Sequence, residues 1–177
     1  LIVLDRPNPN GFYVDGPVLE DENHSFVGLH QVPVVYGLTI GEYAMMVNGE
    51  YWLSDSLQCD LTVIPMGNYK RNAIYELPVK PSPNLPNWES VYLYPSLCFF
   101  EGTIVSVGRG TEMPFQVYGH PQIESEYSFT PKQAEGRNKP LYCDTECYGK
   151  QLQQYATSYK KNPSKLNLSW IIEAYNQ

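Results

Sequence analysis

The sequence predicts an α/β fold of α+β-like character, and three observations predict it. Leu1-Ile2-Val3-Leu4 is a continuous apolar run that stops abruptly at the polar segment Asp5-Arg6-Pro7-Asn8-Pro9-Asn10-Gly11, which is how a strand of a parallel sheet ends. Thr39-Ile40-Gly41-Glu42 carries the Thr-x-x-Glu signature of a helix start. Asp60 to Met66 alternates in the manner of a second strand before the Gly67-Asn68 turn.

Each element follows in chain order. A strand as short as Leu1 to Leu4 needs sheet neighbours, and its bare start suggests a fragment of a longer protein. In that setting the loop from Asp5 to Asn10 lies outside the carboxyl end of a parallel strand, the side on which open α/β sheets hold ligands. In the helix opened by Thr39, the residues Ile40, Tyr43, Ala44 and Val47 form one apolar stripe, and Gly49 marks its stop. In the strand from Asp60 to Met66, Pro65 confines the end to an edge or exit position. Leu77 to Trp88 holds Pro78, Pro81, Pro83 and Pro86, which predict a stiff extended loop. Val91 to Tyr94 reads as a strand, Leu97 to Phe100 as a short helix or a buried crossing, and Phe115 to Tyr118 as a strand. Lys150 to Tyr159 and Leu168 to Tyr175 read as helices, the second capped by Asn167 or Ser169, and its nearness to Gln177 again suggests that the sequence continues. No internal repeat is present.

Composition narrows the function. The 177 residues carry 19 acidic and 12 basic side chains, a formal charge of -7, with no Lys/Arg block; this argues against binding a nucleic-acid backbone and still permits a local basic pocket. With 42% hydrophobic residues the chain can bury roughly two-thirds of its unfolded surface without metal or disulfide. No segment reaches the roughly 20 apolar residues of a membrane span, so a soluble protein is expected. Cys59, Cys98, Cys143 and Cys147 do not make a secreted disulfide framework. Cys143-x-x-x-Cys147 could share a helical face as a disulfide or as two buried thiols, its spacing is unlike that of structural zinc pairs, and Cys59 and Cys98 read as core residues. Neither a cofactor nor a metal is expected.

The densest chemistry lies in Glu101 to Thr111, where Gly102, Gly108 and Gly110 and three hydroxyl residues surround Glu101 and Arg109. Glycines let backbone approach a ligand, hydroxyls give neutral hydrogen bonds, and Arg109 offers a planar fork for a carboxylate or sugar oxygen. The segment has neither the Lys-Ser/Thr ending of a phosphate loop nor the Gly-x-Gly-x-x-Gly spacing of a dinucleotide turn. Burial of Glu101 beside Leu97, Cys98, Phe99 and Phe100 would raise its pKa and suit acid catalysis; the alternative is a structural acceptor or salt-bridge partner. Arg109 either ties two loops together or clamps a ligand. Asp5, Arg6 and Asn8 make a second polar group, held open by Pro7 and Pro9, which serves either a strand-exit loop stitched by an Asp-Arg pair or sugar binding. His24 and His30 stay unassigned, and Tyr13, Tyr36, Trp52, Tyr69 and Trp88 are aromatics able to stack on sugars or simply to pack.

Leu4-Asp5-Arg6-Pro7-Asn8-Pro9, Gly16-Pro17-Val18-Leu19, Ser25-Phe26-Val27-Gly28, Gly37 to Glu42, Cys59 to Met66, Pro81 to Pro86 and the Glu101 to Phe115 loop occur in that order. With them the chain resembles the bacterial DUF1343 family, exo-β-N-acetylmuramidases of the NamZ type. The resemblance implies a Rossmann-like region and a smaller α/β region around a cleft. It places residues 1–15 at the end of the Rossmann-like region and residues 16–177 in a truncated carboxyl-terminal mixed α/β domain. It also implies release of terminal N-acetylmuramic acid from peptidoglycan fragments, in the bacterial periplasm or outside the cell. The family's catalytic glutamate lies in a Glu-His-Gly motif that does not occur among these 177 residues. The parent protein is therefore expected to be the enzyme and this chain alone to be inactive, with the amino-terminal region of the same protein and a muropeptide saccharide as its partners.

Glycoside cleavage needs an acid for the departing oxygen and a second group for the attacking water or the oxocarbenium-like centre. In this chain Glu101 is the candidate catalytic carboxylate, and Asp5, Arg6, Asn8, Arg109 and Thr111 are the candidate substrate-binding residues, with Arg6 or Arg109 on the lactyl carboxylate of muramic acid. The competing classes are a noncatalytic peptidoglycan- or saccharide-binding domain and, last, a redox protein using Cys143 and Cys147 with an exposed thiol of low pKa.

Overall fold

The computed structural model describes residues 1–161 and 165–177. Its internal contacts divide the chain into two units, Leu1–Tyr75 and Glu76–Gln177.

In the first unit, β1 (Ile2–Leu4) is followed by the antiparallel pair β2 (Asp15–Val18) and β3 (Pro33–Val35), the helix α1 (Ile40–Gly49) and β4 (Thr62–Ile64). β1 and β4 run parallel, Val3 opposite Val63, and the return between them passes through α1, as a parallel pair requires. The strand expected over Asp60 to Met66 is present in its central part, and it ends before Pro65. Val3 and Val63 are half-buried, whereas Ile2, Leu4 and Ile64 are exposed at 69%, 69% and 48%. The period of two thus covers one face of the pair with α1 and leaves an apolar row on the other.

The capping box of α1 forms as read: Thr39 Oγ1 accepts from the Glu42 amide, and the Glu42 carboxylate accepts from the Thr39 amide. The buried stripe differs from the expected one. Ile40 is 52% exposed, while Gly41 and Val47 are buried. Gly41 faces the sheet because an ideal Cβ there would lie 2.6 Å from Val63 Cγ1 and 2.8 Å from Asp5 Cγ; only a residue without a side chain lets the helix start this close to β1 and β4.

The second unit opens with the proline-rich loop, free of regular elements up to α2 (Trp88–Leu97). The strand expected over Val91 to Tyr94 is wrong: these residues lie inside α2. Asn87 and Ser90 cap the helix start reciprocally, and Leu93, Leu97 and Phe100 fall at helical spacing toward the core. Four β-compatible residues cannot outvote a reciprocal cap and apolar residues at i, i+4 and i+7. A 3₁₀ turn over Cys98–Gly102 follows, in keeping with the short-helix reading of Leu97 to Phe100.

The three-stranded antiparallel sheet has the order β5 (Val117–His120), β7 (Cys147–Gln151), β6 (Tyr127–Phe129). α3 (Gln153–Lys161) and α4 (Ser169–Tyr175) complete the unit. Lys150 and Gln151, expected in a helix, belong to β7, because that strand pairs with β5 as far as Gln151 opposite Val117, two residues beyond its last partner on β6, Gly149 opposite Tyr127. Leu152, just before the helix, and Tyr155, Ala156 and Tyr159 of α3 pack inward. Cys143 and Cys147 do not share a helical face: Tyr142 and Asp144 have positive φ, which interrupts any helix, and Cys147 opens β7. The N-cap of α4 is Leu168, not Asn167 or Ser169 as expected; Asn167, one residue earlier, accepts from the Ser169 amide at 2.9 Å. Leu93, Leu97, Phe100, Phe115, Tyr118, Leu152 and Trp170 form the core, with Phe100 stacked on Tyr118 at 5.0 Å.

Candidate functional site

The first polar group is built on the exit of β1. Asp5 Oδ1 accepts from the amides of Arg6 (2.9 Å) and Gly41 (2.8 Å), and Oδ2 accepts from the Thr39 hydroxyl (2.8 Å). An anionic acceptor at the first turn of α1 satisfies amides that the helix itself leaves open. Asn8 is likewise committed: its Nδ2 donates to Leu38 O and its Oδ1 accepts from the Asn10 amide, both at 2.9 Å. No Asp5-Arg6 side-chain pair forms, and Asp5 turns to the helix instead. The exposed Arg6 guanidinium has no partner among the described residues. A structural bond network thus fixes the loop and leaves one donor fork to solvent.

The second group lies at the end of α2 and the turn before β5. Glu101 and Arg109 form an ion pair, their side chains 32% and 45% exposed. Glu101 is therefore not buried against Leu97 to Phe100 as expected. The 3₁₀ turn directs Phe100 into the core and Glu101 outward. Arg109 also lies over the Phe115 ring at 5.3 Å, and Tyr94 meets Phe115 edge-on at 5.0 Å. Tyr94 hydrogen-bonds to Glu101, and its hydroxyl is held above the usual tyrosine range by burial first and by the charge of Glu101 second. Burial, with Glu101 nearby, also pushes the Cys98 thiol up to about 11. Thr111 is spent on its own turn, donating to Gly108 O at 2.7 Å and accepting from the Met113 amide at 3.0 Å.

The glycines of this turn serve packing. Gly108 has φ +75°, and a Cβ there would strike Val117. Gly110 has φ +83°, and a Cβ there would lie 2.6 Å from Lys132 O and 2.7 Å from Pro140 Cγ. The loop after β6 thereby closes onto the Arg109 turn, with the Lys132 amide donating to Gly110 O at 2.8 Å. Between them lies a recess of about 440 Å³ that Glu101, Arg109, Lys132, Arg137 and Lys139 line together with Pro83, Val105 and Leu141. Its size falls in the range of roughly 300–1,000 Å³ typical of small-molecule sites.

Of the sequence-predicted residues, the second unit brings Glu101 and Arg109 together and puts Thr111 in the turn beside them, while Asp5, Arg6 and Asn8 share the β1 exit of the first unit. Sequence reading missed Tyr94, which the strand reading of Val91 to Tyr94 hid, and Lys132, Arg137 and Lys139, whose scattered positions in a polar loop carry no motif. All four cysteines are free thiols. Cys147, fully buried, is pushed up to about 11 by that burial, the opposite of what redox chemistry at Cys147 asks. Among the described residues no cluster of His, Cys, Asp and Glu could hold a metal ion, and no helix is long and apolar enough to cross a membrane.

Comparison with known proteins places these features. Residues 1–89 match the family described as exo-beta-N-acetylmuramidase NamZ, N-terminal, and residues 92–177 match its C-terminal counterpart. The peptidoglycan beta-N-acetylmuramidase NamZ of Bacillus subtilis (strain 168) is 47% identical over 129 residues, which cover 70% of this chain and 30% of that protein. A DUF1343 family protein of Bacteroides fragilis superimposes with a TM-score of 0.91 at 49% identity, over 99% of this chain and 50% of its own. A second from the same organism gives 0.74 at 31% identity, over 85% and 43%. The chain thus spans half or less of the length of each of these relatives.

Proposed function

We propose, from the premise that this chain belongs to the NamZ family of exo-β-N-acetylmuramidases, that it is the saccharide-holding part of a glycoside hydrolase releasing terminal N-acetylmuramic acid from peptidoglycan fragments. The Glu101–Arg109 pair on the rim of a sugar-sized recess carries this reading. Glycoside cleavage needs a proton donor and a second carboxylate or equivalent group. A glutamate engaged by a guanidinium is placed as an acceptor, so Glu101 assists as a carboxylate, and the proton donor belongs to the Glu-His-Gly motif elsewhere in the polypeptide. In the second unit Arg109 presents a guanidinium fork toward the recess and Thr111 sets the turn that carries it; in the first unit Arg6 is the exposed donor of a loop that Asp5 and Asn8 fix, a candidate saccharide contact of its own.

The rest of the same polypeptide is the partner. The exposed apolar row of Ile2, Leu4 and Ile64 is the surface such a region would cover. With peptidoglycan fragments as substrate, we assign the protein to the bacterial periplasm or the outside of the cell. Hydrolysis of a chromogenic β-N-acetylmuramide, measured side by side for the parent protein and for this chain, tests the reading: release by the parent and none by the chain is expected. No release by the parent, with the saccharide still bound, would favour the second reading, a noncatalytic saccharide-binding domain. That alternative draws on one observation: among the described residues Glu101 is the single carboxylate lining the recess, and Arg109 already engages it.

A further inference from the structure

The recess is basic on a chain whose net charge is -7. Arg109, Lys132, Arg137 and Lys139 line it against the one acid Glu101. Two of these cations are already committed. Arg109 is held by Glu101 and lies over Phe115. Lys132 donates to Asp144 at 3.0 Å, a bond that also keeps the Asp144 carboxyl below its usual range. Arg137 and Lys139 have no side-chain hydrogen bond or ion pair among the described residues.

The backbone beneath Arg137 is nevertheless fixed. Its amide donates to Ala134 O at 3.2 Å, Gln133 Nε2 donates to its carbonyl at 2.6 Å, and Gly136 takes φ +70° to close the turn. The contact of Lys132 with Gly110 seats this loop on the Arg109 turn. A free guanidinium and a free ammonium on an anchored loop, facing a recess with apolar walls at Pro83, Val105 and Leu141 and neutral amides at Asn84 and Asn138, suit a ligand with a carboxylate, hydroxyls and C–H faces. The Lys139 charge acts at longer range on Asp144, so a neutral sugar would leave the Arg137 guanidinium in particular unanswered.

We propose that Arg137, assisted by Lys139, is the specificity-determining group that reads the lactyl carboxylate and so separates N-acetylmuramic acid from N-acetylglucosamine. The proposal rests on the muramidase reading for the identity of the sugar. It moves carboxylate recognition from Arg109, which Glu101 occupies, to a residue that carries no sequence motif.

The test titrates this chain with N-acetylmuramic acid, N-acetylglucosamine, D-lactate and inorganic phosphate, for the unsubstituted protein and for Arg137→Ala, Arg137→Lys and Lys139→Ala. Far-UV circular dichroism checks folding, which substitution of exposed loop side chains should preserve. N-acetylmuramic acid should bind about tenfold or more tightly than N-acetylglucosamine, and Arg137→Ala should remove about that factor from the muramic acid alone. Arg137→Lys should keep part of it, and D-lactate should lose binding in parallel. Equal affinity for the two sugars, no binding of either, an unchanged preference in Arg137→Ala, or tighter binding of phosphate than of the sugar acid would each overturn the proposal. A parent that hydrolyses the muramide while Arg137→Ala leaves discrimination intact would defeat this proposal and spare the muramidase reading. Arg137-dependent sugar binding without hydrolysis by the parent would do the reverse.

Discussion

Replacing Asp5 by Ala separates the structural work of the β1 exit from any part it plays with ligand. The carboxylate accepts three hydrogen bonds, two of them, from the Gly41 amide and the Thr39 hydroxyl, joining β1 to the start of α1. Losing a capping acceptor costs about 0.5–2 kcal/mol. The Thr39 side chain, only 1% exposed, is left with an unanswered hydroxyl proton, which costs about 1–3 kcal/mol. The expected loss is about 2–4 kcal/mol, read as a lowered urea midpoint with unchanged slope by far-UV circular dichroism. Asp5→Asn keeps one acceptor oxygen and should lose about half as much. A cycle with Thr39→Val should show a coupling energy above about 0.5 kcal/mol, because the two side chains share one bond. A loss below about 0.5 kcal/mol for Asp5→Ala, or strict additivity with Thr39→Val, would refute the idea that this carboxylate fastens strand to helix.

Two glycines of α1 should respond with opposite signs. Gly41→Ala gains about 1 kcal/mol of helix propensity but drives a methyl into Val63 and Asp5 at a cost of about 1–3 kcal/mol, so it should destabilise, whereas Gly49→Ala, which meets nothing within 4 Å, should stabilise by about 0.5–1 kcal/mol. Thermal melts of both variants check the pair. Cys98 and Cys147, raised from 9.0 to about 11, hold so little thiolate at pH 8 that each should react with a disulfide reagent about a hundredfold more slowly than an unperturbed thiol, as stopped-time labelling and mass mapping would show. Because their folded pKa values lie above the unfolded ones, the stability they contribute is complete below pH 9 and is lost as pH rises from 9 to about 11, and an alkaline melting series should follow that window. In the parent protein, Glu101→Gln should lower turnover more than it weakens substrate binding, and steady-state kinetics with unchanged turnover would leave Glu101 only its structural pairing with Arg109.

What was legible in the sequence was local. The Thr39 cap, the two parallel strands and the Pro78 to Pro86 loop announce themselves through residues close in sequence, whose chemistry admits few backbone states. Val91 to Tyr94 misled because four apolar and aromatic residues suit a strand as well as a buried helix, and the deciding signal, Asn87 with Ser90, lies outside the window. Gly41 shows the same limit from another side: its sheet-facing role follows from the approach of Val63 and Asp5, which helical periodicity does not report. At the site, Glu101 and Arg109 stood out because a glycine-rich turn brackets them. Their ion pair, and the cations Arg137 and Lys139 beside it, depend on a later loop closing over Gly110, a contact no local pattern encodes.

The proposed function stands or falls on whether the sugar sits in the recess between the Arg109 turn and the loop after β6. Backbone amide shift mapping of this chain during titration with N-acetylmuramic acid tests it most directly. Concerted, saturable shifts are expected at Arg109 to Thr111 and at Arg137 to Leu141, with β2 and β3 unmoved. Saturable shifts confined to other surfaces, or no shifts up to millimolar sugar, would overturn it.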